Sequence, residues 1–257
     1  MTSAGGGTLV AATTWSLPVA AAIPPLQSLG ATGLWLLHGA MQDRRQFLPL
    51  LAHLPERLPV LLSDLAGHGQ RREHWRHLQH LDPAALAADL LERQPPAGRN
   101  SPLWLVGHSL GALVALALAQ RLTQQGVVAG LILGDPPLLP RDIPAPLQAG
   151  ALASGDPLEQ QLVADSFFRF EHNGPYLQQL AALAETLPVQ VLLGLQGAFR
   201  RADGFSDCGT LVGLASRERL LALATERPGL GLHGIADAGH FVFHSPSGQA
   251  QVAQLLA

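Results

Sequence analysis

Residues 105–116 read LVGHSLGALVAL, and the way this stretch must fold decides the rest. The apolar run LWLV at 103–106 has the character of a buried strand, and ALVALALAQ at 112–120 that of a helix. Ser109 stands at the junction, flanked two residues away on each side by Gly107 and Gly111. A strand that turns sharply into a helix holds its central residue at unfavourable backbone angles and leaves no room for neighbouring side chains, a demand that Gly107, Gly111 and Ala112 meet. The serine hydroxyl is thereby aimed out of the sheet. The amide of Leu110 faces the same space at a helix N-terminus, where it can hold an oxyanion.

Similar junctions recur on either side. GLWLLHG at 33–39, PVLLSDL at 59–65, VVAGLILGD at 127–135, PVQVLLGL at 188–195 and LGLHGIA at 230–236 read as further strands, with one or two more expected before Gly30, about 8–16 among them. Helices are expected near 44–54, over 83–93 behind the cap Asp82 and Pro83, over 109–125, around 214–226 and from about Ser247. Apolar strands alternating with helices predict an α/β fold, a mostly parallel sheet with helices on both faces and its site at the carboxyl ends of the strands. From Pro136 to Leu187 the pattern changes to proline-rich sequence with two helical segments, PLEQQLVADSFFRF and PYLQQLAALAETL. This predicts a core of 1–135 and 188–257 carrying a short helical cap insertion at 136–187.

Composition narrows the chemistry. In 257 residues with 47% hydrophobic and 14% charged side chains, the formal net charge is −3, which gives no reason to seek nucleic acid or an anionic membrane. All 16 basic residues are arginine, so lysine nucleophiles and Schiff bases are excluded. The lone Cys208 has no intramolecular disulfide partner, which makes a reducing, cytoplasmic setting the expectation. The run LPVAAAIPPL at 17–26 is too short and proline-broken for a signal peptide, and 102–120 is interrupted by His, Ser and two glycines, so no membrane span is expected. No cofactor is implied. Oligomeric state stays open.

A serine alcohol needs a base, and histidine titrates near the working pH. Of 11 histidines, His240 in DAGH follows the last strand, where a loop can fold back toward Ser109. His38 and His108 flank backbone turns and read as structural, His233 lies in a strand, and His244 ends the FVF run. His74, His77 and His80 invite a metal reading, but arginines surround them and no carboxylate follows before Asp82. A solvated rim is the expectation there and at Arg200 and Arg201, while Trp75 and the FFRF run read as packing for a cap or pocket wall.

In order and spacing, LWLLHGA, LLSDLAGHGQ, VGHSLGA, LILGDPP and AGHFVFHSP resemble the α/β-hydrolase superfamily, from about Gly33 to the C-terminus. The resemblance implies Ser109 as nucleophile in the elbow G-x-S-x-G, His240 as base, and a second oxyanion amide after His38-Gly39, at Ala40 or alternatively Met41, beside that of Leu110. It implies a serine hydrolase that cleaves an ester, thioester or amide bond of a small-molecule acyl substrate through an acyl-enzyme. The acid is where the sequence departs from the usual pattern, because LLGLQGAFRRADGFSD at 192–207 lacks the expected G-x-x-D. Asp135 leads, since some branches, thioesterase domains included, use an acid at the end of that strand; Asp203 and then Asp207 are the alternatives. LLHGAMQDRRQF and VGHSLGA are also similar to the menaquinone-pathway SHCHC synthase, a lyase using the same three groups as a base. The arginine usual there is missing from LGALVA. A C–C bond hydrolase and a binding protein without catalysis are further alternatives.

Overall fold

Six of the apolar runs become six parallel strands in the computed structural model of the chain, which describes residues 33–93, 102–145, 148–149, 153, 155–168, 175–197 and 209–257. They are β1 (Gly33–Leu37), β2 (Val60–Ser63), β3 (Leu103–His108), β4 (Val128–Gly134), β5 (Val189–Gly194) and β6 (Leu230–Ile235), in the order β2-β1-β3-β4-β5-β6. The strands expected near 8–16 lie outside the described residues.

The pleat sorts side chains to two faces. Trp35, Leu37, Leu105 and Leu131 join one core with Leu86 and Leu90 of α2 (Pro83–Arg93), much of α3 (Leu110–Leu122) and Leu220 of α6 (Leu214–Glu226). Leu34, Leu36, Val106 and Ile132 join the other, with Leu50 of α1 (Leu48–Leu51) and Val252 of α7 (Pro246–Leu256). Helices therefore cover both faces, and the chain builds outward from β1 in one direction and then from β3 in the other. The crevice at this reversal lies beyond the carboxyl ends of β1 and β3. Gly39 follows one of these strands and Ser109 the other.

Some helices differ from expectation. The segment expected as a helix over 44–54 is a 3-10 turn, Arg44–Phe47, followed by the single turn α1. Pro49 has no amide to continue the preceding turn's ladder, so α-helical bonding starts only around it. Helix α3 starts at Leu110, not Ser109, because Ser109 has φ 51° and cannot be helical. The first segment expected within 136–187 forms α4 (Pro157–Val163), capped by Asp156, and then widens into a π turn over Ala164–Phe168. That turn is tied to the loop before α2: Asp165 Oδ2 accepts from the Leu81 amide at 2.7 Å, and the Ser166 hydroxyl donates to the Leu81 carbonyl at 3.3 Å. The second segment forms α5 (Pro175–Leu183), which packs on α3. Among the described residues no helix is long and apolar enough to cross a membrane.

Candidate active site

Ser109 is held by the close approach of two backbones. A Cβ on Gly107 would sit 2.3 Å from the Gly111 carbonyl oxygen, and one on Gly111 would sit 2.1 Å from that of Leu37. No side chain fits at either position, so the glycines let β1, β3 and α3 meet. Ser109 takes φ 51° and ψ −116°, a region costing about 1–3 kcal/mol for a residue with a Cβ. Its amide donates to the Gly134 carbonyl at 2.9 Å, which fixes the turn against β4. Leu110 is the first residue of α3, where amides have no intrahelical acceptor.

His240 follows β6 and is buried, and its Nδ1 donates to Asp135 Oδ2 at 2.7 Å. Asp135 ends β4 fully buried, with φ 41°. Its carboxylate also accepts from the Thr210 hydroxyl on Oδ1 at 2.5 Å and from the Leu211 amide on Oδ2 at 2.8 Å. Thus the segment after β5 supplies donors to a carboxylate that directly follows β4. Arg217 steadies that segment by donating to the carbonyls of Val212 and Gly194 at 2.9 and 2.6 Å. Asp203 and Asp207, like Cys208, Arg200 and Arg201, lie outside the described residues.

The loop after β1 approaches Ser109 closely: a Cβ built on Gly39 would lie 3.4 Å from Ser109 Cβ and 2.8 Å from His108 Nδ1. The Gly39 carbonyl accepts from His38 Nδ1 at 2.8 Å and from the Gln42 amide at 3.3 Å. In a trans peptide the N–H points opposite to the C=O, so the bonds on the Gly39 carbonyl also set the direction of the Ala40 N–H. Met41 completes the turn at φ 58°. His38 Nε2 accepts from the Leu65 amide at 3.0 Å, so the ring is neutral with its proton on Nδ1, and burial pushes its pKa down to about 4. Both ring nitrogens of His38 are thus held by backbone partners. His233, in β6, pairs with Gln190 at 2.7 Å.

A cavity of about 790 Å³ opens beside this loop, lined by residues 41–46, Asp64, the loop around His68, and Leu158 of α4. Neither Ser109 nor His240 lines it. Its walls carry Asp43, Asp64 and Asp156 against Arg44, Arg45 and Arg72, so acids and bases balance. His74 and His77 fall in a 3-10 turn, and among the described residues no group of three or more His, Cys, Asp or Glu side chains is placed to hold a metal ion.

Thr210, Leu211 and Gln46 went unmarked in the sequence reading. Thr210 and the Leu211 amide carry no local signature. Gln46 does: it stands four residues before Leu50 and beside Phe47 on a buried face, where a polar side chain needs a partner.

The fold and this constellation define an α/β hydrolase architecture, and sequence comparison agrees. The model of the alpha/beta hydrolase family matches residues 36–254, and the chain belongs to that family. It is similar to lipase LipV of Mycobacterium tuberculosis, 38% identical over 109 residues, which cover 42% of this chain and 38% of the relative. It is also similar to the pimeloyl acyl-carrier-protein methyl ester esterase of Neisseria meningitidis serogroup B, 40% identical over 88 residues, covering 34% of this chain and 31% of the relative. The matched region thus spans less than two fifths of each of these curated relatives. Among solved structures, a hydrolase from Oleispira antarctica superposes with a TM-score of 0.63 at 15% identity, covering 88% of this chain and 91% of that one. The RedJ thioesterase from Streptomyces coelicolor gives 0.56 at 21% identity, covering 95% and 99%. At such identities the likeness is one of fold.

Proposed function

We propose that the chain is a serine hydrolase acting on carboxylic esters or thioesters, with Ser109, His240 and Asp135 as its triad. The observation that carries this reading is the 2.7 Å bond from His240 to a buried carboxylate, on a loop packed beside the elbow that strains Ser109. With Nδ1 committed to Asp135, Nε2 is the nitrogen left to take the serine proton. The alkoxide attacks the acyl carbon, and the amides of Leu110 and Ala40 receive the negative charge that develops on the carbonyl oxygen. His240 then protonates the leaving alcohol or thiol. A water activated by the same imidazole releases the acid and regenerates Ser109.

Asp135 suits its part because it is fully buried and receives three hydrogen bonds, so it orients the imidazole without competing for the substrate. Segment 136–187 is read as a cap, which α4 supports by reaching the loop after β2, where Leu158 packs against Gly67; α5 packs on α3 within the core on that face of the sheet. The relatives named lipase and methyl ester esterase support an oxygen-ester substrate, and the RedJ fold likeness is compatible with a thioester.

A panel of p-nitrophenyl esters from acetate to decanoate, with acyl-CoA thioesters beside it, tests the proposal. Turnover of short or medium chains that is lost in Ser109→Ala supports it. A folded wild type inactive on the whole panel, or equal turnover by Ser109→Ala, refutes it.

A further inference from the structure

Among the buried polar side chains that the mechanism above leaves unused are Gln46 and His108, both within 5% of full burial. Their hydrogen bonds form one continuous chain. The Gly39 amide donates to Gln46 Oε1 at 2.9 Å, Gln46 Nε2 lies 2.6 Å from His108 Nδ1, and His108 Nε2 lies 2.8 Å from the His240 carbonyl oxygen. Direction follows from the ends. A carbonyl only accepts, so His108 Nε2 carries the proton; a neutral ring then leaves Nδ1 bare, and it takes an N–H from Gln46. The Gln46 amide thereby turns Oε1 toward the Gly39 N–H. Every donor and acceptor in the chain has one compatible assignment.

The chain's two termini matter. Gly39 begins the loop that carries Ala40, and its carbonyl is gripped from the opposite side by His38. His240 carries the imidazole bound to Asp135, and its ring lies 4.6 Å from that of His108 between centroids. No regular strand or helix includes either loop. We infer that Gln46 and His108 are positioning residues that set the oxyanion loop and the base loop at a fixed separation across Ser109, through the path Gly39–Gln46–His108–His240. This rests on the hydrolase reading. Burial keeps the His108 imidazole well below its ordinary pKa, which agrees with a ring that donates at one nitrogen and accepts at the other.

Three proteins test it: Gln46→Leu, His108→Phe and the double variant. Phenylalanine suits position 108, which already lies among Phe241 and Phe243 at 5.2 and 6.1 Å. Each single variant is expected to lower kcat on the best ester, and the rate of fluorophosphonate labelling of Ser109, by about 10- to 100-fold through misplaced donors. KM should stay within about twofold, as expected of a change that acts on the transition-state donors and not on ground-state binding. The double variant should fall no further than the worse single, because one break opens the whole path. Folded variants with wild-type kcat, or losses that multiply in the double, overturn the inference. Histidine-labelled wild type provides a readout independent of variant folding: long-range proton–nitrogen spectra should show His108 protonated on Nε2 alone, and protonation on Nδ1 overturns the path. A wild type that is never labelled refutes the hydrolase reading and the inference with it, whereas a labelled wild type with an undiminished Gln46→Leu refutes the inference alone.

Discussion

His240 Nδ1 and Asp135 Oδ2 stand 2.7 Å apart although 105 residues separate them in the chain. The bond joins the loop after β6 to the end of β4, two strands that are not neighbours in the sheet, and Thr210 and Leu211 close the gap from the segment after β5 between them. If this pair orients the base, Asp135→Asn leaves the fold intact and presents the wrong tautomer. The expected result is a fall in kcat of about 10³- to 10⁴-fold with an unchanged circular dichroism spectrum. Activity within tenfold of wild type would assign the acid elsewhere.

Thr210 contributes through Asp135. Thr210→Val removes the hydroxyl on Oδ1, together with the acceptor of the Val212 amide at 3.1 Å, and keeps the Leu211 amide and His240 on Oδ2. One lost hydrogen bond to a charged group is expected to lower kcat by about 10-fold, equivalent to about 1.4 kcal/mol, and to reduce Tm by a few degrees. Steady-state kinetics on the same ester decides it.

The elbow tolerates no added methyl. In Gly111→Ala the new Cβ would lie 2.1 Å from the Leu37 carbonyl oxygen and 2.5 Å from that of His38, both backbone atoms that cannot step aside. A loss of more than about 3 kcal/mol, or failure to fold, is expected from denaturant titration. Gly126→Ala is the matched control. Gly126 has φ +67° but open space around its Cβ position, so only the backbone cost of about 1 kcal/mol remains.

How much of this was legible beforehand varied with the range of the interaction. The strands were readable because each is a short apolar run ended by Gly, His or Asp, and a run buried on both faces needs no alternation to betray it. Ser109 announced itself because steric demands fall on its immediate neighbours, Gly107 and Gly111. The acid did not, because a carboxylate within reach of an imidazole is a fact of tertiary structure. Asp135 is one of three choices in the sequence; the sheet sets β4 opposite the loop after β6, while Asp203 and Asp207 lie outside the described residues. The donors Thr210 and Leu211 belong to the same class, and so does Gln46, whose only local sign is polarity on an apolar face. The expected helix over 44–54 failed for a local reason, Pro49, which the sequence did display.

A pH measurement isolates one further group. Asp142 is buried and accepts from the Ser216 hydroxyl at 2.7 Å and from the amides of Leu139 and Gly213 at 2.9 and 3.2 Å. Burial pushes its pKa up to about 6, against 3.8 for the ordinary group. Between these values the folded chain keeps a proton that the unfolded chain has released. Its contribution to stability is therefore full below pH 3.8 and is lost as pH rises through 6, a change of about 3 kcal/mol. His38 acts oppositely: its pKa of about 4 means that stability is lost as pH falls from 6.5 toward 4. Comparing Asp142→Asn with wild type cancels the histidine contribution. Between pH 4 and pH 7.5 the variant should gain about 2–3 kcal/mol relative to wild type in urea titrations. A difference that does not move with pH would contradict the burial argument.

The central claim is that Ser109 is an activated nucleophile, and covalent labelling with a fluorophosphonate probe followed by peptide mapping tests it most directly. The account predicts one labelled peptide, containing Ser109, with labelling abolished in Ser109→Ala and slowed in His240→Ala and Asp135→Asn. A folded wild type that is not labelled, or is labelled at another serine, would contradict it.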